Sequence, residues 1–229
     1  MSGRVVLVLG GARGGKSAWA EELAARSGRS VVYVATATAG DTEMAERIRA
    51  HRAARPPAWR TVEAPFEPGD AVRTHVRAGE VVLLDCLTLW VSNVILRWTE
   101  DAPDIEAVPS DQWAAVETHL LGAIEELVDR VRAVGAGLIL VSNEVGMGLV
   151  PPSLLGRRYR DILGRVNQVA ASRADSVVLI IAGLPVDLRR LITPEPQAIF
   201  DAADPSEESE CGCGADPRRG RSPGVGDQR

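Results

Sequence analysis

Two short stretches carry residues whose types and spacing suit reactions on phosphate. The first is "GGARGGKS", Gly10 to Ser17, which fits the spacing G-x-x-x-x-G-K-[ST]. Glycines let backbone N–H groups turn inward around phosphate oxygens, and a helix starting at the lysine adds partial positive charge. Lys16 would bridge the β- and γ-phosphates of a nucleotide, and the Ser17 hydroxyl would ligate Mg²⁺. The second stretch is "RIRAHRAARPPAWRTVE", Arg47 to Glu63. It sets His51 among Arg47, Arg49, Arg52 and Arg55. Either that imidazole completes an apolar stripe with Met44 and Ile48, or it works on something strongly anionic. A neutral imidazole among phosphate-binding arginines can attack phosphorus and form a covalent adduct. Arg52 and Arg55 lie within a turn of it, and arginines near a helix end can clamp a triphosphate.

Lysine usage sharpens the first stretch. The chain has 26 Lys and Arg residues, and Lys16 is the single lysine. Arginine's planar fork does not replace a compact ammonium in a tight loop. Asp85 in "VVLLDC", at the end of a strand, is the second candidate for Mg²⁺ beside Ser17, its other reading being a helix N-cap. Asn143 and Glu144 in "VSNEVGMGLVP" also follow a strand, with Gly146 and Gly148 suggesting close approach or a moving lid. Arg157, Arg158, Arg160, Asp161, Arg165 and Asn167 lie on one predicted helix, with Arg157 and Arg158 expected on its solvated face. His75 and His119 are expected on helix surfaces.

Elements that would position these groups follow from periodicity. Continuous β-branched runs ("RVVLVLG", "SVVYVAT", "WRTVEA", "EVVLLDC", "GLILVSN", "SVVLIIAG") alternate with helical patterns, the longest from about Asp111 to Ala133. Buried strands separated by helices predict a mostly parallel sheet covered on both faces, hence a three-layer α/β domain. "SVVLIIAG" is expected to be the last strand. Asp41 is expected to cap the helix of His51. Residues 1–192 form the expected P-loop domain. Residues 193–229 are rich in Pro, Gly, Ser and charge and are expected to be a disordered tail. Its Cys211 and Cys213 have no partner cluster for a metal.

The 229 residues carry a net charge of -5, which weighs against nucleic-acid binding. No run approaches a membrane span, no leader is read at the N-terminus, and the expected location is the cytoplasm.

Taken in order, "GGARGGKS", "YVATA", "RIRAHRAARPPAWRTVEAP", "LLDCLTLWVSN", "SNEVGMGLVP" and "YRDILGRVNQ" resemble the bifunctional adenosylcobinamide kinase / adenosylcobinamide-phosphate guanylyltransferase family. The resemblance runs from about Val5 to Leu188. It implies a RecA-like P-loop fold, commonly a homotrimer, with GTP, ATP and a corrinoid as substrates. It implies two reactions: phosphorylation of the hydroxyl of the cobinamide aminopropanol arm, then transfer of GMP from GTP through a histidine to that phosphate. By motif match the nucleotide-binding residues are Gly10, Gly11, Ala12, Arg13, Gly14, Gly15, Lys16 and Ser17. Ala35, Thr36, Ala37, Arg52, Ala53, Ala54, Arg55, Glu63 and Asp85 complete that set. His51 and Lys16 are the catalytic residues. Two departures stand out: Gly14 where the family often has Ser, and Ala50 where some members have a second histidine. The competing readings are a plain P-loop kinase with a structural His51, and a RecA-like nucleic-acid or assembly ATPase.

Overall fold

A computed structural model describes residues 3–40 and 42–191. Seven strands form one sheet in the order β3-β2-β4-β5-β1-β6-β7. They are β1 (Val5–Gly10), β2 (Val31–Ala35), β3 (Arg60–Glu63), β4 (Val81–Asp85), β5 (Gly137–Val141), β6 (Ser176–Ile181) and β7 (Leu184–Asp187). β1 to β6 pair in parallel, and β7 runs antiparallel to β6. The helices are α1 (Lys16–Arg26), α2 (Thr42–Ala54), α3 (Pro68–His75), α4 (Leu87–Trp98), α5 (Ser110–Val134) and α6 (Leu154–Arg173). β5 lies between the phosphate-loop strand β1 and the strand that ends in Asp85, the RecA-like arrangement of a P-loop sheet.

One expectation needs correction. "SVVLIIAG" is not the last strand: the chain turns at Ala182 and Gly183 and returns as β7. The sequence hides β7 because it is four residues long, contains Pro185 and lies at the sheet edge, where a missing N–H is tolerated. The disordered tail expected at 193–229 and the Asp41 cap lie outside the described residues, as does the Met44 side chain.

Alternation along the strands divides the interior. Val32, Val34, Val82, Leu84, Leu138 and Leu140 point to a broad core shared with α3, α4, α5 and α6. α5 contributes Trp113, Val116, Leu120, Ile124, Leu127 and Val131 to it, spaced three and four apart. Val31, Tyr33, Val81, Leu83, Ile139 and Val141 face the other way, over Ala20 and Ala24 of α1. That second face ends in the chemistry.

Candidate active site

The phosphate loop closes tightly because two of its glycines leave no room for a side chain. Gly10 ends β1 at φ +151°, and a Cβ there would sit 2.5 Å from the Ile180 carbonyl oxygen. Gly14 donates its N–H to the Gly11 carbonyl at 3.2 Å and accepts from the Gly183 N–H at 3.0 Å. A side chain at Gly14 would press on the Gly11 oxygen, 3.0 Å from its Cβ. The β6–β7 turn thus braces the loop, which is held in place rather than loosened by glycine at this position. Lys16 opens α1, is 8% exposed, and donates from Nζ to the Gly11 carbonyl oxygen at 2.7 Å. Burial lowers its pKa, against the opposing pull of Cys86 and Asp85.

Sheet register builds the adjoining wall. Ala35 pairs with Glu63 on one side and Asp85 on the other, so two carboxylates flank a small residue at the strand ends. One row below, Tyr33 pairs with Thr61 and Leu83. The Tyr33 hydroxyl donates to Asp85 Oδ2 at 2.7 Å. Burial, then the Asp85 charge, raises the phenol pKa, so Tyr33 stays neutral and can donate. Cys86, not Asp85, stands at the N-cap of α4, and it makes no side-chain cap bond. This removes the capping alternative for Asp85.

α2 forms the opposite wall. Ile48, His51, Arg52 and Arg55 line a cleft of about 520 Å³ with Arg13, Lys16, Ser17, Glu63, Asp85 and Asn143. His51 is exposed and not half-buried, so the apolar-stripe reading fails for its side chain. Arg52 bonds Glu63 Oε1 at 2.5 Å. Arg55 lies 3.4 Å from the Tyr33 ring centroid and reaches Thr61 Oγ1 at 3.5 Å. Its Nε is buried with no hydrogen-bond partner. Such a donor is costly unless an acceptor arrives with a ligand.

Among the remaining expected residues, Ala12, Gly14, Gly15, Ala35 and Ala37 line the cleft, whereas Gly10, Gly11 and Ala53 do not. Ala54 belongs to α2, its side chain being outside the described ones. Thr36 is fully buried, its hydroxyl donating to the Cys86 carbonyl at 2.7 Å and accepting the Cys86 N–H at 2.8 Å. Its side chain therefore shapes the wall from behind. Asn143 is held by its main chain, donating to Thr88 Oγ1 at 2.8 Å and accepting from Asn167 Nδ2 at 3.0 Å. Glu144 does not line the cleft, and its Oε1 accepts the Gly146 N–H at 2.7 Å. Arg157 and Arg158 are half-buried, contrary to the solvated face expected. Arg157 donates to the Pro152 carbonyl at 2.6 Å, and Arg158 lies 5.6 Å from the Trp113 ring centroid. His75 is exposed, while His119 is partly buried beside Trp98, ring centroids 5.4 Å apart.

Sequence reasoning missed Tyr33, Thr61, Thr88 and Leu89 as lining residues. Cys86 also lines the cleft, but burial, then Asp85, pushes its thiol up to about 11, so it is a poor rival to His51 as nucleophile.

A glycine-rich loop at a helix N-terminus, a buried lysine and a strand-end carboxylate define a P-loop phosphate-transferring enzyme. The second, arginine-flanked histidine wall marks off a subset of that class. Residues 6–188 match the cobinamide kinase / cobinamide phosphate guanyltransferase family, and the chain belongs to it. It is 45% identical over 183 residues to the bifunctional adenosylcobalamin biosynthesis protein CobP of Pseudomonas aeruginosa, covering 80% of this chain and 96% of that protein. It is 41% identical over 187 residues to the corresponding CobU protein of Escherichia coli, covering 81% and 99% of the two. Among solved structures, the flagellar accessory protein FlaH of Methanocaldococcus jannaschii superposes with a TM-score of 0.43 at 16% identity, covering 82% and 78%.

Proposed function

We propose that this one cleft performs two transfers in adenosylcobalamin biosynthesis. In the first, a phosphoryl group passes from ATP or GTP to the hydroxyl of the aminopropanol arm of adenosylcobinamide. In the second, an imidazole nitrogen of His51 attacks the α-phosphorus of GTP. A P–N bond forms, the α–β P–O bond breaks and pyrophosphate leaves. A phosphate oxygen of adenosylcobinamide phosphate then attacks the same phosphorus, the imidazole departs, and adenosylcobinamide-GDP forms. The observation that carries this reading is His51, exposed on the wall opposite Lys16 and flanked by Arg52 and Arg55.

Each group has a physical task. Lys16 and the α1 N-terminus offset phosphate charge. Arg55 Nε, buried without a partner, is supplied with an acceptor when a phosphate oxygen enters. Arg52 would have to share itself between Glu63 and nucleotide. Ser17 and Asp85 would hold Mg²⁺: a hydroxyl and a carboxylate are hard oxygen donors, and this ion is usually completed by phosphates and water. Bound there, the ion would neutralise charge on the phosphates.

The homotrimer implied by the resemblance is carried as part of the proposal. Met147, Leu149, Val150, Ile181 and Leu184 are exposed, and an assembly would cover such side chains. No helix of the described residues is long and apolar enough to cross a membrane.

The test is incubation with labelled GTP and Mg²⁺ without any corrinoid. One GMP per chain should attach, through a bond that is acid-labile and base-stable as expected of phosphorus–nitrogen, with release of pyrophosphate. His51→Asn should abolish labelling and guanylyl transfer while leaving much of the phosphoryl transfer. GMP mapped to another residue, or normal guanylyl transfer by the asparagine variant, would show that His51 is not the carrier.

A further inference from the structure

Tyr33 touches both walls of the cleft, although it is 1% exposed and reads from sequence as a core aromatic. Its hydroxyl is bonded to Asp85 at 2.7 Å, and its ring lies 3.4 Å beneath the Arg55 guanidinium carbon. Trp59 stacks on it, with centroids 6.4 Å apart and planes at 29°. This stacking supports the ring from the residue that precedes β3.

We propose that Tyr33 is a positioning residue that sets Asp85 for the phosphate side and Arg55 for the histidine side at once. The proposal deepens the two-transfer reading and rests on its assignment of nucleotide and Mg²⁺ to this cleft. The hydroxyl engages Oδ2 of Asp85 and so restrains the carboxylate that would hold the metal ion. The ring face carries the guanidinium, so Arg55 keeps its plane while its Nε waits for an acceptor. Arg55 belongs to the chain just beyond α2, one residue after Ala54. Its seat on the ring therefore also sets how far the histidine wall stands from the phosphate loop.

The two contacts separate by mutation. Tyr33→Phe removes the hydroxyl and keeps the ring. Tyr33→Leu removes both. The readout is equilibrium binding of GTP across a Mg²⁺ titration, which requires no covalent step at His51. Tyr33→Phe should shift the Mg²⁺ concentration for half-maximal tightening by about tenfold, the expected effect of losing a hydrogen bond to a charged group. At saturating Mg²⁺ it should bind GTP nearly as the unmodified chain does. Tyr33→Leu should show that same shift and bind GTP about tenfold more weakly still at saturating Mg²⁺.

A Mg²⁺ titration of Tyr33→Phe that superimposes on the parent would overturn the Asp85 half. Equal GTP affinity of the two variants at saturating Mg²⁺ would overturn the Arg55 half. Should Tyr33→Leu not fold, Arg55→Lys in the Tyr33→Phe background asks the second question, because lysine keeps charge but not the planar stack. Unchanged GTP affinity there would count against the ring platform. If the unmodified chain binds GTP but takes no label on His51, the covalent reading fails while the Tyr33 result still stands.

Discussion

The face of the sheet covered by α3, α4, α5 and α6 and the face covered by α1, beside which α2 walls the cleft, are made from the same strands. Neighbouring residues of β2 separate them: Val32 and Val34 enter the broad core, while Tyr33 and Ala35 line the cleft side. β4 does the same with Val82 and Leu84 against Leu83 and Asp85. The broad face is filled with Leu, Ile, Val and Trp from long amphipathic helices. The other face uses small residues at Ala20 and Ala24 and attaches the histidine helix largely through arginines. A two-residue period thus lets one set of strands carry stability on one side and chemistry on the other. Both sides hold a buried donor without a partner, Trp113 Nε1 in the broad core and Arg55 Nε on the other face, but only Arg55 lines the cleft, where a ligand can supply the acceptor.

Three experiments sharpen or break this division, and the largest effect belongs to Lys16. Lys16→Arg should lower phosphoryl transfer by at least about a hundredfold, with no loss of thermal stability. The pH response adds a sign. Burial lowers the Lys16 pKa below its ordinary 10.5, so the folded chain gives up this proton more readily than the unfolded one. Nucleotide affinity needs the charge and should therefore fall as pH rises through a value below 10.5. The arginine variant should lack that alkaline limb, which binding titrations across pH would detect.

Leu127 tests the opposite face. It is fully buried in α5 against the broad core. Leu127→Ala should lose about 3–4 kcal/mol in urea unfolding while the folded fraction keeps its turnover. A drop in turnover per folded molecule would mean that the two faces are mechanically coupled. The smallest effect belongs to the exposed pair Arg52–Glu63, whose side chains are 59% and 62% exposed. Glu63→Gln should change stability by less than about 0.5 kcal/mol. A larger loss would show that this pair supports the second face as structure.

Legibility in the sequence follows the same division. Strand runs and the α5 stripe show the broad core directly, because burial on that side is written in apolar periodicity. The phosphate loop is legible because backbone geometry needs glycine, and His51 because arginines crowd it. Tyr33 is not, since inside "VVYVAT" it looks like any core aromatic. Its hydroxyl reaches Asp85 only because the register sets Tyr33 between Thr61 and Leu83, two residues before the Ala35–Asp85 pair, and register is a property of strand pairing. One signal was available: the chain has two tyrosines, and this one falls two residues before Ala35 on the same strand face. β7 escaped because an edge strand with a proline carries no alternation to read. Arg157 and Arg158 were misread because helical spacing alone cannot see the Pro152 carbonyl or the Trp113 ring waiting beside them.

The solitary lysine also makes this chain a convenient target for covalent probes. Amine-directed reagents meet one ε-amino group in 229 residues, and it lies at the base of the cleft. Desolvation raises the neutral fraction of that amine, and the neutral form is the one that reacts. A nucleotide carrying an aldehyde or an activated ester would leave its tag at Lys16 and on no other side-chain amine. The mass gained by the intact protein would then report occupancy of the phosphate loop, and its suppression by unlabelled GTP or ATP would rank the two nucleotides without any enzymatic assay.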